Sequence, residues 1–165
     1  MIACIDVHYF DSYANATAIV VSNWQAETEL KTFSFKQTKV GEYQAGQFYQ
    51  RELEPILGLL AEIDVAIKTY VIDAYCHLSY EQAPGLGSYL FQHLPADSSV
   101  VGVAKNRYKD TKHAVEVLRG RSIRPLFVTA IGMDYSSAAK AIEAMHGEFR
   151  IPTLLKRVDH LARKG

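Results

Sequence analysis

A chain of 165 residues with 48% hydrophobic and 22% charged content can bury the core of one globular domain. No apolar run approaches the ~18 residues of a membrane span, and no basic segment precedes the N-terminal apolar residues as in a signal peptide. Cys4 and Cys76 lack the spacing of a disulfide framework or metal knuckle, so reduced, buried thiols and a cytoplasmic setting are expected. The net charge of 0 hides an asymmetry: residues 1–100 carry 5 Lys/Arg against 12 Asp/Glu, and residues 101–165 carry 13 against 6. A basic half of this kind suits either contact with a polyanion or a solvated helix surface.

In chain order, residues 1–9 read as a strand, with Ile2, Cys4, Asp6 and His8 on one face. Strands at 16–22 and 30–36 follow, and Phe33 and Phe35 alternate with polar residues as expected towards a sheet edge. Three strands with short connections predict an antiparallel meander. The period then changes. Leu53, Ile56, Leu57, Leu60 and Ile63 share one helical face, and Pro55 predicts a helix start at 51–54, with Glu52 at its N-terminus. A strand at 69–73, a helix at 86–94, strands at 99–104 and 125–131, and helices at 136–146 and 153–164 complete the chain, with Pro152 opening the last helix. Tyr89, Leu90 and Phe91 are core candidates of the 86–94 helix. This order predicts an α/β fold, one mixed sheet covered by helices in a single domain.

Two aspartates stand out, because apolar strands run straight into them. Asp6 lies between Ile5 and Val7, and Asp73 follows Tyr70-Val71-Ile72. A buried carboxylate is costly unless it is paired, hydrogen-bonded or bound to a cation. If the two strands are neighbours, their carboxylates converge and Glu52 can complete a cluster. A hard cation such as Mg²⁺ would relieve the repulsion, activate water and stabilise a phosphodiester transition state. Structural capping accounts for two strand-end aspartates equally well.

The succession CIDVHYF, YQAGQFYQREL, YVIDAYCHLSY, GLGSYL, VVGVAKN and RPLFVTAIG resembles the endonuclease V family, the deoxyinosine 3′ endonucleases. The resemblance implies a ribonuclease H-like fold across residues 1–165. It also implies Mg²⁺- or Mn²⁺-dependent hydrolysis of the second phosphodiester bond 3′ of an inosine, hence a nucleic-acid partner, DNA or RNA. It assigns Asp6, Glu52 and Asp73 as metal ligands and Lys105 as a phosphate contact, where the alternative is an ordinary exposed lysine. It matches Tyr43 to a strand-separating wedge, where the alternative is a half-buried loop tyrosine.

The departures fall around the implied base site. Ala74 and Cys76 stand where that family has glycines, and each added Cβ narrows the backbone's approach to a ligand. Ser79-Tyr80-Glu81 replaces a His-Pro-Arg triplet; His77 lies two positions early for the missing histidine and reads equally as a polar loop residue. Met133 replaces a histidine expected near the metal, with Asp134 beside it as a substitute oxygen ligand. Two function classes follow. One is a metal-dependent endonuclease with Asp6, Glu52, Asp73 and Lys105 in the chemistry and Tyr43, Ala74, Cys76 and His77 near the base. The other is a weak or inactive relative that binds nucleic acid or a protein on the same fold.

Overall fold

The computed structural model describes residues 1–39, 48–110 and 112–165. Strands β1 (Ile2–Tyr9), β2 (Ala14–Val21) and β3 (Lys31–Gln37) form the expected antiparallel meander. β3 is a sheet edge, exposed on alternate residues, and its Phe33 and Phe35 pack onto helix α1 (Phe48–Glu62). β4 (Thr69–Ile72) and β5 (Ser99–Ala104) then extend the sheet parallel to β1. β7 (Leu126–Ile131) returns antiparallel to β5, and a short strand β6 (Val115–Val117), absent from the sequence reading, pairs with β7 at the far edge. The order β3-β2-β1-β4-β5-β7-β6 gives the mixed, helix-covered sheet expected of a ribonuclease H-like fold.

Each face of the sheet has its own core. On one, α1 and α2 (Leu86–Phe91) cover Ala3, Ile5, Ala16, Ala18, Tyr70 and Ile72. On the other, α3 (Tyr135–Glu143) and α4 (Thr153–Lys164) cover Ile2, Cys4, Val71, Val101, Val103 and Val128. In α4, Leu154, Val158 and Ala162 recur at four-residue spacing and are buried, so the helix lies on β1 and β2 by a single stripe. Burying Leu154 and Val158 contributes about 1.5–3 kcal/mol each. Asn15 Nδ2 donates to the Ala162 carbonyl at 2.9 Å and fixes the C-terminal end of that helix.

The start of α1 corrects the sequence expectation. The helix begins at Phe48, so Pro55 lies inside it and Glu52 sits in its second turn, beyond the N-terminal dipole. A mid-helix proline leaves the carbonyl four residues earlier without its amide donor. That carbonyl belongs to Arg51, and the Tyr9 hydroxyl donates to it at 3.0 Å. A tertiary hydrogen bond from β1 therefore replaces the missing helical one, which a purely local rule could not foresee.

Candidate active site

Register brings the two aspartates together. β1 and β4 are parallel neighbours paired Ile5 to Ile72, so the next residues, Asp6 and Asp73, stand side by side at the strands' C-terminal ends. Alternation puts both on the α4 face, below Cys4 and Val71. Lys105 follows β5 on the same face, and its Nζ lies 2.6 Å from Asp73 Oδ2. Glu52 comes from α1, on the opposite face, and reaches the same corner: Asp6, Glu52 and Asp73 line one small cleft. Ile5, Ile56 and Leu86 wall that cleft, in which Asp6 and Glu52 are half-buried and Asp73 is exposed.

A fourth acid joins them. Asp159 of α4 shares a hydrogen bond with Asp6, and Arg163 Nε holds Asp159 Oδ1 at 2.9 Å one turn further on. The pair is arranged so that the proton rests on Asp6. Burial, then the bond to Asp159, then the charges of Asp73 and Asp159 push the Asp6 carboxyl up to about 7. Asp159 lies below the ordinary aspartate value: burial opposes this, but the bonds from Asp6 and Arg163 outweigh it. Glu52 is pushed up to about 7 by burial and by the charge of Asp73, against the pull of Arg51. For Lys105, burial pulls the ammonium down, yet the bond to Asp73 and the surrounding acids leave it above the ordinary lysine value. The sequence does carry a signal for Asp159. It is an acid adjacent to Val158 in an amphipathic helix, on the margin of its buried stripe, but nothing local says which strand that margin meets.

As placed, no group of three or more His, Cys, Asp or Glu among the described residues converges closely enough to hold an ion. The acids share a corner and act on one another by charge, and Lys105 neutralises Asp73 directly.

Several expected contacts fall elsewhere. Cys76 is fully buried: its N–H donates to Thr129 Oγ1 at 2.8 Å and its Sγ to the Val100 carbonyl at 3.5 Å. Burial pushes its thiol up to about 12, as it does for Cys4, and both are free thiols. His77 is buried too, with Nδ1 2.6 Å from the Tyr135 hydroxyl and its carbonyl engaged by His113. Both side chains are thus engaged within the protein, where they close the loop. Ala74 is half-buried, and its carbonyl occupies the space beside Gly102, where a Cβ would overlap it. Met133 and Asp134 are at the wrong end of the sheet. β7 runs antiparallel to β5, so the residues after Ile131 lie beside Val100, whereas Lys105 lies at the Phe127 end. Asp134 instead caps α3, accepting from Ser137 N–H and Oγ, both at 2.9 Å. Tyr43 lies outside the described residues.

On the α4 side of Asp73 the structure opens. Between β1, β4, β5, β7 and α4 there is a cleft of about 450 Å³. Its walls are apolar, from Val71, Val103, Leu126, Ile151, Leu155 and Val158, and Asp6, Asp73, Lys105 and Asp159 line its polar part. Phe149, Arg150 and Lys156 complete the lining. Buried Arg119 anchors this lip by donating to the carbonyls of Glu143, Met145, Gly147, Phe149 and Arg150. Arg150 in turn donates to the carbonyls of Lys105, Arg124 and Pro125. Among the described residues, no helix is long and apolar enough to cross a membrane.

Comparison with known proteins agrees with this geometry. The chain is similar over 99% of its length to endonuclease V from Ciona intestinalis (TM-score 0.79, 18% identity, 84% of that chain covered), which was crystallised with a 24mer DNA containing an inosine followed by a ribo-adenosine. It is similar over 99% to human ENDOV (TM-score 0.78, 19% identity, 82% of that chain) and to endonuclease V from Streptomyces avermitilis (TM-score 0.77, 21% identity, 79% of that chain). At these identities the likeness shows the fold, a ribonuclease H-like α/β sheet. No curated protein matches the sequence. The family model for Endonuclease V matches residues 1–130, most of the chain, and by that match the protein belongs to the endonuclease V family.

Proposed function

We propose that this protein is a divalent-metal-dependent endonuclease that hydrolyses phosphodiester bonds in nucleic acid. One observation carries the reading: the β1–β4 register sets Asp6 and Asp73 side by side, with Glu52 lining the same cleft. Three acids from three separate elements, two of them raised to about 7 by burial and by neighbouring acids, Asp73 among them, are a poor structural arrangement but a suitable oxygen donor set. Asp6, Glu52 and Asp73 would hold Mg²⁺ or Mn²⁺, which when bound supplies an activated water and stabilises charge on the phosphate. Lys105 Nζ, now on Asp73, would bind a non-bridging phosphate oxygen as a compact point charge. Asp159, oriented by Arg163, would hold or release the proton it shares with Asp6, so Asp159→Asn should lower activity by about 10–100-fold.

Inosine is the first base to test, given the family. The glycines that would allow close backbone approach are Ala74 and Cys76 here, so we expect cleavage without strict inosine selectivity. A second reading, a nucleic-acid or protein-binding module without catalysis, draws on the Lys105–Asp73 ion pair and on the absence of a converged three-acid group among the described residues. Incubation with inosine-containing and unmodified DNA and RNA strands in Mg²⁺ or Mn²⁺ separates the two. Metal-dependent scission lost in Asp73→Asn supports the nuclease; binding without scission of any strand favours the module. Calorimetric titration with Mn²⁺ tests the ligand set directly. Equal heats for the parent and Asp6→Asn would rule it out.

A further inference from the structure

Two regions flank Asp73, and they differ in whether a nucleobase can enter. On the loop side the described residues are closely packed. Cys76 Sγ fills the space beside Gly87, and the Tyr75 carbonyl fills that beside Gly85. The Tyr75 hydroxyl bonds the Asn106 carbonyl at 2.7 Å and accepts from the Tyr108 N–H at 3.1 Å. On the α4 side there is a cleft of about 450 Å³, within the usual range for a small-ligand site. Leu155 and Val158 of α4 form one wall and the sheet the other, and Asp6, Asp73 and Lys105 line the same cleft. An occupant would therefore touch the proposed reaction centre. The α4 wall and the lip at Phe149 lie beyond residues 1–130, the segment the family model matches. The sheet wall of the cleft, with Asp6, Asp73 and Lys105, lies within that segment.

We propose that this cleft receives an unpaired nucleobase of the strand whose phosphate lies at Lys105, in place of the closed loop side. The proposal rests on the nuclease reading for its choice of strand and deepens it. Three features select a nucleotide over an apolar peptide or a second copy. The walls offer apolar side chains against which the face of any base can pack. Lys105 and Lys156 line the cleft and complement a phosphodiester, and residues 101–165, which supply them, carry 13 Lys/Arg against 6 Asp/Glu. Phe149 is 68% exposed at the lip although its backbone is held by Arg119, an arrangement that presents a ring to solvent in a fixed place. The apolar walls carry no side-chain donors or acceptors to read a base edge, so entry should tolerate every base.

The test is binding without chemistry. Fluorescence anisotropy in EDTA would compare a labelled single-stranded DNA 15-mer with versions carrying one abasic nucleotide at each successive position. The expected result is binding weakened about 10-fold at one position. That penalty should vanish in Leu155→Trp, which fills the cleft, and shrink in Phe149→Ala, whose exposed side chain can be removed without harm to the fold. Equal binding of every abasic strand overturns the proposal, as does a penalty unchanged in both variants or no binding of any strand. Cleavage of the same strands in Mn²⁺ is read separately. A base penalty without cleavage removes the nuclease reading and keeps the pocket; cleavage without a base penalty does the reverse.

Discussion

Residues 74–88 and residues 145–159 meet at Asp73 from opposite sides and solve opposite problems. In the first region every backbone turn is tied inward: Gly85 N–H and Ser88 Oγ donate to the Cys76 carbonyl at 2.9 and 2.5 Å, and Gly87 N–H donates to the Tyr75 carbonyl at 3.1 Å. The space that side chains could leave is filled by a buried thiol. In the second region one buried guanidinium gathers five carbonyls and fixes the lip, and a cleft lies beside the acids. Hydrogen bonding closes the loop and frames the cleft. The difference lies in what the bonded segments surround: sulfur on one side, unfilled space on the other.

Breaking either region should have effects of graded size. The largest should come from Arg119→Ala, which leaves several carbonyls of the lip without a donor and should cost about 3 kcal/mol. Thermal denaturation should fall by roughly 6–12 °C for a chain of this size, and a shift under about 2 °C would mean the clamp is dispensable. Gly87→Ala attacks the closed side. The new Cβ would overlap Cys76 Sγ and sit 2.8 Å from Cys76 Cα, so about 2 kcal/mol should be lost. Adding Cys76→Ala should return part of that loss, because the sulfur goes but the backbone contact stays. Purely additive losses in urea denaturation would argue against the close packing.

Asp6 sits where the two regions join, and its prediction has the opposite sign. Its folded pKa, about 7, lies above its ordinary value of 3.8, so the folded state binds the proton more tightly than the unfolded one. Its contribution is most favourable below about pH 4 and declines as pH rises to 7. Asp6→Asn keeps a donor towards Asp159 and removes the charge, so it should stabilise the metal-free protein by about 1–2 kcal/mol at pH 8. The gain should disappear near pH 4. A Tm difference independent of pH would refute the desolvated carboxyl. The smallest effect belongs to Phe149→Ala, within about 0.5 kcal/mol of the parent, since the ring is mostly in solvent. A larger loss would mean that Phe149 supports the lip rather than decorating it.

Much of the fold was legible in one sequence because it is written locally. Period-2 and period-3.6 patterns mark the meander, β4, β5, β7 and the four helices within a few residues of their true limits. β6 was missed because three residues on an edge carry no period. The start of α1 was misplaced because Pro55 obeys a local rule that Tyr9, 42 residues away from Arg51, overrides. For the site, Asp6, Glu52, Asp73 and Lys105 could be singled out by residue type and family pattern. Their juxtaposition came only with strand register. The same holds for the failures: Met133 and Asp134 looked adjacent to the site until the antiparallel direction of β7 carried them to the other end of the sheet.

By itself, then, the sequence determined which segments are strands and helices, which family the chain resembles, and which acids interrupt apolar runs. These follow from neighbours along the chain, whose spacing sets which face each side chain occupies. Tertiary structure alone decided that Asp159 bonds Asp6, that Cys76 closes the loop against Gly87, and that α4 leaves a cleft beside the acids. Each depends on how distant elements pair and pack, and periodicity within an element carries no record of its partner.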